Sequence, residues 1–216
     1  MSHMPSALLL ITSSCPHCPS MLQSLSELIK EGKLAQLEVV NIELDPQRAK
    51  ALNVRSVPWL KMGEIELAGL KSKSEIQQWI TTPDNLNAYF EELMTSGEIS
   101  KVQQMVEEEP DNIKTLFSIM ADEHSGLSAR IGVGAIIEHL EGSDILINNI
   151  DALGKYCSDP LPRIRNDACY YLGLSHHPDT RKYLRPLLDD EDDEVKDVAR
   201  EALEGISAEN SKRNTK

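Results

Sequence analysis

The sequence predicts an α/β domain over residues 1–81 and an all-α domain over residues 82–206. Up to residue 80, strand-like and helix-like stretches alternate, and no strand-like stretch follows. The balance of acidic and basic side chains also changes near residue 80. Residues 1–80 contain eight acidic and eight basic side chains, and residues 81–216 contain 27 and 14. The polar segment 207–216 is predicted to be a disordered tail.

Three elements open the α/β domain. The continuous apolar run of residues 7–12 has the length of a buried strand. A helix is predicted over residues 19–32, where apolar side chains recur on one face and Gly32 marks the end. Residues 36–45 are β-rich and predict a second strand.

Four further elements complete this domain. A short helix over residues 46–54 begins with a proline, which favours the first helical position. Residues 58–62 and 64–69 predict a hairpin that turns at Gly63, and residues 72–80 predict a closing helix. The predicted order is therefore β-α-β-α-β-β-α.

The second domain is predicted to be a row of helices with an internal repeat. The helical patterns cover residues 84–94, 98–108, 111–122, 127–140, 144–157, 161–173, 179–188 and 192–205. The repeat aligns Ile131 and Ala135 with Ile164 and Ala168, and then with Val195 and Ala199. Such units stack because none can bury its apolar face alone. An ordinary helical bundle with a coincidental repeat is the alternative.

Two stretches carry the clearest form of the repeat, DPLPRIRNDACYYLG at residues 159–173 and DDEDDEVKDVAREALEGI at residues 189–206. Both resemble HEAT repeats in a short, HEAT-like form. In each, a basic residue, Arg165 or Lys196, follows the first apolar residue, and Gly132 replaces it in the earlier copy. The resemblance implies an α-solenoid that binds a protein partner.

The stretch ITSSCPHCPSML at residues 11–22 places Cys15 and Cys18 between the first strand and the first helix. At a helix N-terminus, unpaired backbone N–H groups and the helix dipole favour an anion. The thiolate is the form that attacks a disulfide, so this position favours a reactive Cys15. Cys18 lies on the same face and can resolve a mixed disulfide. His17 supplies positive charge or a hydrogen bond that tunes the thiolate.

Together with the order of elements, the CPHC motif resembles the thioredoxin fold, in a minimal, glutaredoxin-sized form, over residues 6–81. The SVPWL stretch at residues 56–60 stands where this family has a cis-proline at the start of a strand. The resemblance implies a cis Val57–Pro58 bond facing the dithiol, whose backbone docks a substrate peptide by strand pairing. We expect Trp59 to be an exposed, partner-contacting aromatic residue or, equally, part of the core.

The sequence departs from the family at several positions. Ser14 replaces the tryptophan that precedes the first cysteine of thioredoxin, and the first strand contains no acidic residue. The Pro-His dipeptide is typical of the oxidising members, which indicates a less reducing couple than that of thioredoxin. The segment MGEIELAGLKSKSE lacks the Gly-Gly-x-Asp pattern of glutaredoxins, which argues against glutathione binding.

Three other uses of the cysteine pair remain open. Zinc requires four ligands, of which one Cys-x-x-Cys supplies two. The pair could also hold a cluster bridged between two subunits, or belong to an inert recognition module. Cys157 and Cys169 fall in helical patterns and are predicted to be buried free thiols.

The sequence therefore predicts a thiol–disulfide oxidoreductase in which Cys15 is the nucleophile, Cys18 resolves the mixed disulfide and His17 tunes the site. We expect a protein dithiol or disulfide as substrate, a protein partner on the repeats, and neither a cofactor nor a metal. The alternative is a non-catalytic adaptor with a thioredoxin-like recognition module.

Composition limits the remaining classes of function. The net charge of −13 disfavours nucleic acid as a partner. No apolar run reaches the roughly 18 residues of a membrane span, and ALLLI at residues 7–11 has no basic segment before it. We therefore expect a cytoplasmic protein that binds neither nucleic acid nor membrane.

Overall fold

A computed structural model of the chain describes residues 6–81 and 85–213. The chain divides into two compact units, one ending at Leu86 and the other beginning at Asn87. The sequence places this division between residues 81 and 82. Among the described residues, no helix has both the length and the apolar character that crossing a bilayer requires.

The first unit is built on a four-stranded sheet. Its strands are β1 (Ser6–Ile11), β2 (Gln36–Asn41), β3 (Trp59–Met62) and β4 (Ile65–Ala68). The order across the sheet is β2-β1-β3-β4. β1 pairs with β2 in parallel, and the pairs β1–β3 and β3–β4 are antiparallel. A parallel pair needs a crossover connection, which the first helix provides.

The helices of this unit are α1 (Cys18–Lys30), α2 (Pro46–Ala51) and α3 (Lys73–Thr81). The predicted order β-α-β-α-β-β-α is therefore confirmed. α1 buries Met21, Leu25 and Leu28, which form its apolar face. The chain leaves this helix at Gly32, whose φ of +68° is a conformation that glycine adopts without steric cost.

β2 is shorter than the predicted range 36–45 because the chain turns at its end. The side-chain oxygen of Asn41 accepts a hydrogen bond from the N–H of Glu43 (3.0 Å). The backbone carbonyl of Asn41 accepts one from the N–H of Asp45 (3.1 Å). The carboxylate of Asp45 then accepts the N–H of Arg48 and caps α2.

The strand register brings the two motifs to one edge of the sheet. Ile11 pairs with Asn41, Leu10 with Trp59, and Trp59 with Ala68. The C-terminal ends of β1, β2 and β4 therefore lie beside the N-terminal end of β3. The CPHC motif follows β1 and the SVP segment precedes β3, so both extend from this edge.

Within the described residues, the second unit is helical. Helices α4 to α12 cover Asn85–Thr95, Ile99–Glu108, Ile113–Ala121, Leu127–His139, Asp144–Asn148, Ile150–Leu153, Pro162–Leu174, Arg181–Leu184 and Asp193–Arg213. Four 3₁₀ segments lie between them, at Pro110–Asn112, Gly154–Ser158, Pro178–Thr180 and Arg185–Asp189. The predicted all-α architecture is confirmed.

Two predicted helices are interrupted in the structure. The range 144–157 divides into α8, α9 and a 3₁₀ segment, and the side-chain amide of Asn149 donates to the carbonyl of Ile145 at this point. The range 179–188 is divided in the same way, and Pro186 there has no backbone N–H to continue an α-helix. Local side-chain and proline chemistry thus divides two continuous apolar patterns.

The last helix is longer than predicted. It continues to Arg213, whereas the sequence predicts a disordered tail over residues 207–216. The segment SAENSKR contains neither glycine nor proline, so nothing in it stops a helix that is already formed.

The repeat is correctly aligned in its two later copies and wrong in the first. Ile164 and Ala168 are buried, as are Val195 and Ala199. In α7, however, Ile131 is 61% exposed. The buried row lies two residues earlier, and it consists of Ala129, Val133 and Ile137. A shift of two residues rotates a helix position by about 200°, so the sequence alignment selected the opposite face.

The corrected alignment also reassigns the basic position. Arg130, rather than Gly132, now corresponds to Arg165. Gly132 has a different role, because a side chain there would lie 2.7 Å from the sulfur of Met94 on α4. The glycine therefore lets α4 and α7 approach each other closely.

Arg165 joins two successive repeats. Its Nε and Nη2 atoms donate to the two carboxylate oxygens of Asp190 at 2.8 and 2.7 Å, and its Nη1 donates to the carbonyls of Asp159 (2.8 Å) and Pro160 (3.1 Å). Both side chains of the ion pair are nearly buried. The hydrogen bond from Arg165 holds the pKa of Asp190 below its ordinary value. Asp190 also accepts the N–H of Asp192, so the pair fixes the turn before α12.

Replacing Arg165 by alanine removes two of the donors to Asp190 and the side-chain donor to the carbonyls of Asp159 and Pro160. We expect the free energy of unfolding at pH 7 to fall by about 2 kcal/mol or more, measured by urea denaturation. The Arg200→Ala control removes an exposed pair with Asp197 and should cost about 1 kcal/mol or less. Equal losses in the two variants would contradict this role.

The same pair predicts a pH dependence. Asp190 has a lowered pKa in the folded state. Its contribution to the free energy of unfolding is therefore fully present above about pH 4, and it is lost as the pH falls through that lowered pKa. The stability difference between the wild type and Arg165→Ala should therefore shrink in acid. A difference that stays constant down to pH 2 would show that the ion pair is not its source.

Candidate active site

The cysteine pair lies where β1 passes into α1. β1 ends at Ile11, and α1 begins at Cys18 with His17 as its N-cap residue. The backbone carbonyl of His17 accepts the N–H of Met21 (3.2 Å), which closes the first helical turn. Cys15 therefore stands just outside the N-terminus of a helix of 13 residues.

The sulfurs of Cys15 and Cys18 are joined in a disulfide, and their Cα atoms are 5.5 Å apart. Their environments are unequal. Cys18 is only 3% exposed, whereas Cys15 is half-buried. A reagent or substrate can therefore reach Cys15 from solvent, while Cys18 lies beneath it.

A backbone donor is directed at the exposed sulfur. The N–H of Cys18, the first residue of α1, donates to Sγ of Cys15 over 3.1 Å. A helix leaves its first N–H groups without intrahelical partners, and its dipole places partial positive charge at the same end. When the disulfide is reduced, this donor faces the Cys15 sulfur and favours its thiolate form.

The loop that carries the cysteines is tied to the neighbouring strand. The side-chain amide of Asn41 donates to the hydroxyl of Ser13 (3.0 Å), and the backbone N–H of Ile42 donates to the carbonyl of Ile11 (3.0 Å). Asn41 and Ser13 were not among the site residues predicted from the sequence. The sequence contained a weak signal for this contact, because β2 ends at Asn41, a residue type that is common in turns.

The other predicted site residues lie at the same edge or next to the cysteines. His17 is exposed, and its side chain does not cap the helix. The Val57–Pro58 peptide bond is cis, as the resemblance implies. Pro58 is buried and Val57 half-buried, and the carbonyl of Pro58 accepts the N–H of Gly69 (2.9 Å).

Trp59 is buried, which is the second of the two roles expected for it. Its side chain is 6% exposed and belongs to the core. β3 lies between β1 and β4, and the backbone of Trp59 pairs with Leu10 and Ala68. Little of this side chain is therefore accessible to a substrate.

The two remaining cysteines are separate from this site. Cys157 and Cys169 are free and buried, as predicted. Burial raises the pKa of each thiol to about 12. In the part of the chain that the structure describes, no group of three or more histidine, cysteine, aspartate and glutamate side chains is arranged to hold a metal ion.

Comparison with known families agrees with this description. Residues 7–81 match the family model of a thioredoxin domain, so the first part of the chain is a thioredoxin-like, redox-type module. Residues 113–204 match the family model of HEAT repeats. The chain thus combines a thioredoxin-like domain with HEAT-like repeats, which confirms both resemblances and the predicted fold class. No curated protein gives a significant match.

The unequal exposure of the sulfurs predicts an order of labelling. After reduction, brief treatment with iodoacetamide at neutral pH should modify Cys15 first and Cys18 much more slowly, as read by peptide mass spectrometry. Cys157 and Cys169 are internal controls, because they should be modified only after unfolding in urea. Equal labelling of Cys15 and Cys18 in the folded protein would contradict the geometry.

Proposed function

We propose that this protein is a thiol–disulfide oxidoreductase that exchanges electrons with protein substrates through the Cys15–Cys18 couple. The hydrogen bond from the Cys18 N–H to the Cys15 sulfur carries this proposal, because it supports a thiolate at the one sulfur that solvent can reach. Under this proposal, Cys15 is the nucleophile, Cys18 resolves, and His17 tunes the site from the helix N-cap.

In the reducing direction, the Cys15 thiolate attacks one sulfur of a substrate disulfide. The substrate S–S bond breaks, its other sulfur leaves as a thiolate and takes up a proton, and a mixed disulfide forms. Cys18 then loses its proton and attacks the Cys15 sulfur, which releases the second substrate thiol. Two electrons pass to the substrate, and another dithiol must return them. The reverse sequence oxidises a substrate dithiol.

The substrate backbone is proposed to dock beside Val57. Among the described residues, the main chain of Val57 makes no hydrogen bond, although it stands directly before β3 at the edge that carries the dithiol. A free N–H and C=O next to the end of a strand can pair with a substrate strand. This pairing would hold the substrate cysteine near Cys15. The HEAT-like repeats are proposed to bind a protein partner.

Insulin reduction by dithiothreitol tests the redox proposal. The wild type should accelerate it, and Cys15→Ser should abolish the acceleration because the attacking sulfur is gone. In the absence of dithiothreitol, reduced Cys18→Ser mixed with insulin should instead accumulate a mixed disulfide on Cys15, visible by mass spectrometry. The matched control is Ser14→Ala, an exposed neighbour that should leave the rate unchanged.

A second measurement distinguishes the adaptor alternative. The rate of Cys15 alkylation rises with pH as the thiol ionises. The midpoint of this rise should lie below about pH 8.5, the ordinary pKa of a cysteine. If the rate follows an ordinary thiol and the wild type leaves insulin intact, the adaptor function replaces the redox proposal.

A further inference from the structure

A groove runs between α10 and α12 in the HEAT-like repeats. Its walls are the side chains of Tyr170 and Leu174 on α10 and of Val198 on α12, and its volume is about 190 Å³. A cavity of about 150 Å³ admits a benzene molecule, so the groove has room for one branched or aromatic side chain. Tyr170 is 43% exposed, so its ring is accessible to a partner at the groove.

Small residues form the rest of the groove. Gly173, Ala202 and Gly205 also line it. A side chain at Gly173 would lie 2.9 Å from the Cβ of Ala202, so the two helices are in close contact there. At Gly205, by contrast, an added Cβ would have no atom within 4 Å. The groove is therefore open beside Gly205.

Carboxylates surround this apolar groove. Glu201 lines it, Glu138 accepts a hydrogen bond from the hydroxyl of Tyr170 (3.1 Å), and Glu141 lies 2.6 Å from Nε2 of His176, another lining residue. Among the lining residues there is no lysine or arginine. The groove thus combines one apolar site with acidic side chains from both sides.

From this combination we infer that the groove binds a positively charged peptide segment of a partner protein, with one apolar side chain seated between α10 and α12. Lysine or arginine residues on either side of that side chain pair with Glu138, Glu141 and Glu201. The apolar contact supplies affinity, and the carboxylates select the charge of the partner. This inference rests on the proposed protein-binding role of the repeats and is independent of the redox chemistry.

Fluorescence anisotropy tests the inference with a labelled synthetic peptide of lysine and alanine that contains one central leucine. We expect the full-length protein to bind it, and to bind more weakly when ionic strength rises from about 0.01 M to about 0.15 M, because the screening length falls from about 30 to about 8 Å. A peptide with glutamate in place of lysine, and one with serine in place of leucine, should each bind at least about tenfold more weakly. Absence of binding, or equal binding of the glutamate peptide, overturns the inference.

Substitutions in and beside the groove test whether the peptide binds there. Tyr170→Ala should weaken binding about tenfold, as for an aromatic residue at the centre of an interface. Gly205→Gln should also weaken it, because the new side chain enters the open groove without a clash. Glu201→Gln should weaken it more than Glu204→Gln, a matched change on the same helix at a residue that does not line the groove.

Equal effects of the Glu201 and Glu204 variants overturn the inference, because they show a general charge effect. Circular dichroism and thermal unfolding establish that each variant is folded. Insulin reduction is measured on the same samples. In the wild type, peptide binding without insulin reduction contradicts the redox proposal alone, and insulin reduction without peptide binding contradicts the groove alone.

Discussion

The candidate site depends on one short hydrogen-bonded contact, in which the first N–H of α1 donates to the sulfur of Cys15. The contact exists because the chain leaves β1, passes through a tight loop and enters the helix within a few residues. The apolar face of α1 anchors the helix against the sheet, and the Asn41–Ser13 hydrogen bond anchors the loop. Packing of the core thus fixes the position of one reactive atom.

The first unit was largely predictable because its signals are local. An apolar run of strand length, a helical face ending at Gly32 and a proline at the start of α2 each act over a few residues. The Asn41–Ser13 contact and the burial of Trp59 were not predictable in this way. Each depends on which strand lies beside which, and the order of strands in the sheet is set by packing over the whole unit.

The second unit shows a different limit of sequence reasoning. The two later repeats were aligned correctly, because proline and aspartate residues mark where α10 and α12 begin. In α7, apolar residues lie on more than one face, since Leu127 and Ile131 are exposed while Ala129 and Val133 are buried. Apolar identity alone therefore could not select the buried face. The fold around α7, including its close approach to Met94, makes that choice.

Because Cys18 is buried beneath Cys15, the disulfide is accessible from solvent through the sulfur of Cys15. Any small thiol or protein that forms a covalent adduct with the native domain must do so through the outer sulfur, and departure follows the same route in reverse. The inner sulfur belongs to a side chain that is only 3% exposed, so oxidants and competing thiols reach it far less readily than they reach the outer sulfur.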